Sequence, residues 1–212
     1  EQFGKPIESK DFNKFIDSLP KVLAANDLRN VIDNIVKAHR KNRPVVLALG
    51  AHVIKCGLSP LVIDLMKRGI ITAVAMNGSG AIHDYEISLI GETSEDVSHS
   101  LKDGSFGMAK ETAEAIQAAA SVPDSGLGRA LGNKILKDKN KHRKDSILAV
   151  GAQLKIPVTV HVAVGTDIIH MHPCVSGSDI GESSHIDFKL LCSVVAGLEG
   201  GVWLNVGSAV IM

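Results

Sequence analysis

The stretch VVLALGAHVIKCGLSPLVIDLMKRGIITAVAMNGSG, Val45 to Gly80, decides the fold. Its two apolar runs, Val45 to Leu49 and Ile71 to Met76, stop abruptly at small and polar residues: Gly50-Ala51-His52 after the first, Asn77-Gly78-Ser79-Gly80 after the second. Between them a helix is signalled. Ser59 suits an N-cap and Pro60 the first helical position, Leu58, Leu61, Val62, Leu65 and Met66 repeat at helical spacing, and Gly69 can end the element. The unit reads strand, helix, strand. Crossovers of this kind join parallel neighbours and are right-handed, so both polar endings are expected at one edge of one sheet, the edge where such folds bind ligands.

Outward from this unit, Asp11 to Leu19 suits a short helix, and after Asn26 and Asp27 the positions Leu28, Val31, Ile32, Ile35 and Val36 form an amphipathic stripe. Lys37 to Lys41 place positive charge in its last turn, and Pro44 precedes the first strand. Downstream, Ala81 to Leu89 continues as a helix from Gly78-Ser79-Gly80. Gly91 to Gly104 is polar and without clear order, with Thr93, Ser94, Glu95 and Asp96 able to cap something short. Helices are expected over Met108 to Ala120 and Leu127 to Leu136, and over Ile147 to Leu154 with Asp145 as cap. Pro157 opens a third strand, Val158 to Val164, ending in Gly165-Thr166-Asp167. Asp187 to Leu198 reads as a further helix, and Val202 to Val206 as a fourth strand ending at Gly207-Ser208. The expected fold is α/β: a doubly wound, mostly parallel sheet with helices on both faces. A single domain over residues 1–212 is expected, with residues missing at either end.

Composition agrees. Of 212 residues 45% are hydrophobic, enough for a sizeable core, and only 3% are aromatic, so the core is built from Val, Ile, Leu and Ala, as in buried parallel strands. Formal charge is zero at pH 7, and the basic cluster Lys137, Lys139, Lys141, Arg143 and Lys144 is interrupted by Asp138 and followed by Asp145, which reads as a solvated surface rather than a nucleic-acid interface. Cys56, Cys174 and Cys192 follow no metal-knuckle spacing and cannot all pair, which suits a reducing compartment. No apolar stretch has the length of a membrane span, and a cytoplasmic location is expected.

Three groups of residues can carry chemistry. Gly78-Ser79-Gly80 follows a strand and opens a helix, so its amides can cradle a phosphate; the alternative is a tight turn that needs glycine. The spacing is not the dinucleotide fingerprint, which needs a third glycine where His83 stands. Of nine histidines, His52, His83, His170, His172 and His185 fall in or near strand-end loops. His170-Met171-His172, extended, would present both imidazoles to one side and with Asp167 could hold a metal, whereas hydrogen-bonded structural histidines are commoner. His161, inside an apolar strand, reads as a satisfied core residue, and His39, His99 and His142 as surface. Asp84, Asp167, Asp179 and Glu182 lie beside these loops, where carboxylates bind ribose hydroxyls or amines, or cap helices. No G-x-S-x-G elbow is present, and nothing in the sequence places a base beside Cys56.

The order and spacing of the three polar strand endings resemble the deoxyhypusine synthase family over most of Val45 to Met212, best in Val45 to Glu86 and Ile156 to Asp167. The family's first turn, which contacts NAD, is matched by Gly50, Ala51 and His52, with the following Ile-x-x-Gly kept as Ile54 to Gly57. Its second turn is matched by Asn77, Gly78, Ser79 and Gly80, and its final acidic position by Asp84, while His83 stands where the family holds cofactor ribose with an acid. The family's Thr-Asp pair at the cofactor is matched by Thr166-Asp167. A family Asp that handles the polyamine falls near His172. At Gly207 to Met212 the family's His is missing, and no Trp-Gly-Lys appears. The resemblance implies an NAD-binding fold, an NAD-dependent aminoalkyl transferase acting on a polyamine or other amine, and a homotetramer. His83, His170 and His172 would then carry protons and Lys55 is the nearest thing to a nucleophilic lysine. Two rival functions follow from the residues: a metal-dependent hydrolase using His170, His172, Asp167 and His52 or His83, and a non-catalytic nucleotide-binding oligomer.

Overall fold

A computed structural model describes residues 16, 18–19, 22–93, 100–102 and 104–207. The expected helix over Asp11 to Leu19, the caps Ser94, Glu95 and Asp96, His99, and the stretch Ser208 to Met212 lie wholly or mostly outside them.

Four parallel strands, β1 (Val45–Leu49), β2 (Ala73–Asn77), β3 (Val158–His161) and β4 (Val202–Val206), form one sheet in the order β3-β2-β1-β4. β1 sits between β2 and β4, with Leu47 opposite Val74 on one side and Leu204 on the other, and all five of its residues are buried. That is why its run is continuously apolar instead of alternating. Eight helices accompany the strands among the described residues: α1 (Leu23–Arg40), α2 (Ala51–Lys55), α3 (Ser59–Lys67), α4 (Gly78–Ile90), α5 (Lys110–Ala120), α6 (Leu127–Lys137), α7 (Ile147–Leu154) and α8 (Gly177–Ala196).

The two windings fix which helix covers which face. From β1 through β2 to β3 the chain steps one way across the sheet, and right-handed crossovers therefore put the intervening helices on one face, where Leu47, Leu49, Val74, Met76 and Val160 meet Ile54, Ile63, Ile116, Leu131 and Leu148. From β3 to β4 the chain steps back, and α8 crosses to the other face: its Ile180 belongs to the first core, while Leu191 packs on Val46, Ala48, Ala73 and Ala75.

Several boundaries differ from the sequence reading. Ser59 is the first residue of α3 rather than its cap; the chain enters from α2 through Gly57 at φ +74, Leu58 takes the N-cap place, and Ser59 Oγ is buried without a hydrogen-bond partner. Ser146, not Asp145, caps α7, with its Oγ accepting from the Ala149 amide at 3.0 Å. β3 stops at His161 because the Val162 amide donates to Ser184 Oγ at 3.0 Å and the Ala163 amide to Asp167 Oδ2 at 2.9 Å. α8 starts at Gly177, capped by Ser176, so its first turns are polar and hide the helical period. α1 begins at Leu23, ahead of Asn26 and Asp27, and of its residues only Ala38 is buried. No helix among the described residues is long and apolar enough to cross a membrane.

Candidate functional site

Because every strand is parallel, their C-terminal ends share one rim. The winding reverses between β1 and β4, and the crevice that such a reversal leaves is bordered here by Gly50 and Gly207. The Gly50 amide donates to the Val206 carbonyl at 3.0 Å, and Gly207 (φ +79) lies close enough that a Cβ on it would stand 3.8 Å from the Gly50 nitrogen. The amides of Ala51 and His52, which open α2, have no partner among the described residues. His52 is exposed, and Lys55 ends α2 half-buried.

The second and third endings are tied together. Asn77 caps α4 by accepting the Gly80 amide at 2.9 Å, and Asp167 reaches across from the loop after β3 so that one oxygen, Oδ2, accepts from both Gly78 (3.2 Å) and Ala163 (2.9 Å). A Cβ on Gly78 would stand 2.6 Å from that oxygen, so glycine is required by the approach of Asp167. Asn77, Gly78, Gly80 and Asp167 are thus brought together, with Thr166 exposed beside them. The same geometry changes the reading of the glycine turn: two of the amides expected to cradle a phosphate are already bonded within the chain, one of them to an anion.

His83 lies on α4 with Nδ1 3.2 Å from Glu86 Oε2, a contact that orients the ring. Glu86, which the sequence reading passed over, is buried; the signal was a carboxylate three residues after His83 on an otherwise apolar helix face. With Thr112, His172, Ile82, Ile116 and Ile168 it lines a small cavity of about 20 Å³, room for one water.

Asp84 faces away from the rim. It is fully buried and accepts from Ser146 Oγ (2.5 Å) and the amides of Ile147 (2.8 Å) and Leu148 (3.1 Å), holding the N-terminus of α7 against α4. Burial pushes its carboxyl up to about 6, against the lowering effect of those three hydrogen bonds. The expected cofactor role for this residue gives way to a structural one.

Nor do His170 and His172 face one side, because Ile168–His170 is a turn of 3-10 helix and not extended chain. His170 Nε2 is buried without a partner among the described residues, while His172 Nδ1 accepts from the Cys174 amide at 3.2 Å and lies 2.9 Å from Cys174 Sγ. No three His, Cys, Asp or Glu side chains gather closely enough to hold a metal among the described residues. Asp179 lies in the first turn of α8, its carboxyl held below the usual range by hydrogen bonds from Ser121 and Gln117, and Glu182 follows, exposed, on the same helix. His161, at the end of β3, has Nε2 2.9 Å from Thr159 Oγ1, and burial lowers its pKa to about 4, so it is neutral at pH 7. His185 is exposed and stacks on Phe188.

No protein-family model and no curated protein sequence matches this chain. Among solved structures it is similar to a crystal structure from Entamoeba histolytica provisionally assigned as a deoxyhypusine synthase, at 11% identity and a TM-score of 0.55, over 87% of this chain and 74% of that one. A likeness at that identity shows a shared fold, the doubly wound α/β sheet.

Proposed function

We propose that this chain binds NAD or a related dinucleotide along the rim of its sheet and belongs functionally with NAD-dependent aminoalkyl transferases of the deoxyhypusine synthase type. The observation that carries the reading is the bridge from Asp167 to Gly78, which joins the endings of β2 and β3 beside the crevice between β1 and β4. The fit to a dinucleotide is selective. With Oδ2 engaged by two amides, Asp167 keeps Oδ1 to accept from a ribose hydroxyl, and Asn77 stands next to it. Phosphate oxygens suit the crevice at Gly50, where the Ala51 and His52 amides are unpaired, better than the α4 N-terminus that Asp167 already occupies. NAD, when bound, would accept a hydride from the carbon next to an amine. His83, with Nδ1 held by Glu86, presents Nε2 as a proton carrier near the rim. The shared fold of the Entamoeba histolytica structure supports the same assignment.

Calorimetric titration of the purified chain with NAD is expected to show saturable binding, weakened at least tenfold by Asp167→Ala and left within twofold by His172→Ala. Absence of heat and of any thermal shift would overturn the reading. Addition of spermidine to the NAD-loaded chain is expected to raise the absorbance of reduced cofactor, and His83→Ala to slow that step without changing NAD affinity.

A further inference from the structure

Cys56, Cys174 and Cys192 are all exposed thiols, and one of them has a base in contact with it. His172-Pro173-Cys174-Val175 is a β-turn: the Val175 amide donates to the His172 carbonyl at 3.1 Å, and Pro173, whose ring presets φ, fills the second position where such turns favour it. The turn is tethered on both sides. Ile169 is buried ahead of it, and after it the Ser176 amide donates to Gln117 Oε1 of α5 at 2.7 Å. The bend brings the His172 imidazole back onto residue 174, so that Nδ1 lies 3.2 Å from the Cys174 nitrogen and 2.9 Å from its sulfur. The first of these contacts settles the tautomer. A peptide N–H can only donate, so Nδ1 carries a lone pair, the ring proton sits on Nε2, and the hydrogen between Nδ1 and Sγ is the thiol's own. No hydrogen bond reaches the sulfur of Cys56 or of Cys192 among the described residues.

We propose that Cys174 is a nucleophilic thiol with His172 as its base, and that the pair is a modification site for hydroperoxides. As the sulfur attacks the terminal peroxide oxygen, its proton passes to His172 Nδ1, an S–O bond forms and the O–O bond breaks. The departing oxygen takes the proton back from Nδ1 and leaves as water, or as an alcohol from an organic hydroperoxide. Cys174 is thereby oxidised to a sulfenic acid, the peroxide is reduced by two electrons, and the imidazole is returned neutral. No second cysteine contacts Cys174 among the described residues, so the sulfenic acid has no thiol there with which to close a disulfide.

Because all three thiols are exposed, they serve as controls for one another, and the first comparison needs no variant. The full chain is treated with hydrogen peroxide, sulfenic acid is trapped with dimedone, and each cysteine is followed separately by mass spectrometry. Expected are labelling of Cys174 at least tenfold faster than of Cys56 or Cys192, and loss of that advantage in His172→Ala at unchanged circular dichroism. Free imidazole added to this variant is expected to restore part of the rate at Cys174, which a purely structural role of the ring would not allow. The proposal is overturned if the three thiols are labelled at similar rates, if His172→Ala is labelled at Cys174 as fast as the unaltered chain, or if imidazole leaves the variant unchanged.

Discussion

At the residue scale the informative groups are two of the buried carboxylates, Asp84 and Asp187, because each is taken out of water to hold the N-terminus of a helix elsewhere in the chain. Asp84 serves α7; Asp187 Oδ2 accepts from the Gly128 amide in the first turn of α6 and from the Val160 amide of β3, both at 2.8 Å, and burial pushes its carboxyl to about 6. Removing the acceptor strands its donors, so Asp84→Ala, which leaves the Ser146 hydroxyl proton and two amides without an acceptor in the core, is expected to cost about 2–4 kcal/mol in urea unfolding. The pH dependence follows from the same burial. A carboxyl whose pKa is higher folded than unfolded binds its proton more tightly in the native state, so its contribution to stability is full below pH 3.8 and is lost as pH rises through about 6. Between those values each group takes away roughly 3 kcal/mol at most, and Asp84→Asn is expected to flatten the fall of the unfolding midpoint over that interval, read from urea curves at successive pH values. Gly78 gives the complementary test at the rim: Gly78→Ala drives a methyl against Asp167, and NAD affinity is expected to fall at least tenfold while the far-ultraviolet circular dichroism stays unchanged.

At the scale of elements, α8 does the work of an absent strand. β3 is an edge, and its outward groups are met by side chains of this helix: Asp187 takes the Val160 amide, Ser184 Oγ takes the Val162 amide and donates to the Val160 carbonyl at 3.3 Å. The edge is thereby closed to further pairing. The arrangement depends on glycine at two places, since a Cβ at Gly126 would overlap the Asp187 carboxylate and one at Gly128 the Val158 carbonyl. Hydrogen exchange is expected to show the Val160 and Val162 amides protected in the native chain; Ser184→Ala should expose Val162 with a loss of about 1 kcal/mol, and Asp187→Ala should expose Val160 with a loss of about 2–4 kcal/mol.

For the whole molecule, the two faces of the sheet are unequal. One carries a large core contributed by α2 to α7, whereas the other carries a small cluster in which Leu191 packs on Val46, Ala48, Ala73 and Ala75, with Val194, Leu198 and Trp203 of β4 at its margin. Leu191→Ala therefore empties the centre of the smaller layer, and a loss of about 2–4 kcal/mol is expected, with a decreased urea slope if β4 detaches from the native sheet with it. Much of this architecture was legible in the chain. The continuous apolar runs at Val45 and Ile71, the stripe between them and the glycine-terminated endings specify parallel strands joined by crossovers, because only doubly covered strands tolerate such runs and only one handedness is open to the connection. Local sequence likewise places α4 at Gly78, since Asn77 caps three residues ahead within the same segment. What tertiary structure alone decided are the roles of polar groups whose partners are remote in sequence. Whether Asp84 faces a ligand or a helix depends on Ser146, 62 residues away; whether Gly78 greets a phosphate or a carboxylate depends on Asp167, 89 away; and the edge cover by Asp187 depends on a helix whose polar first turns conceal its period. Periodicity records which side of an element is dry, which each residue encodes by itself. A hydrogen bond between distant segments is a property of two positions at once, and only the closed chain brings them within reach.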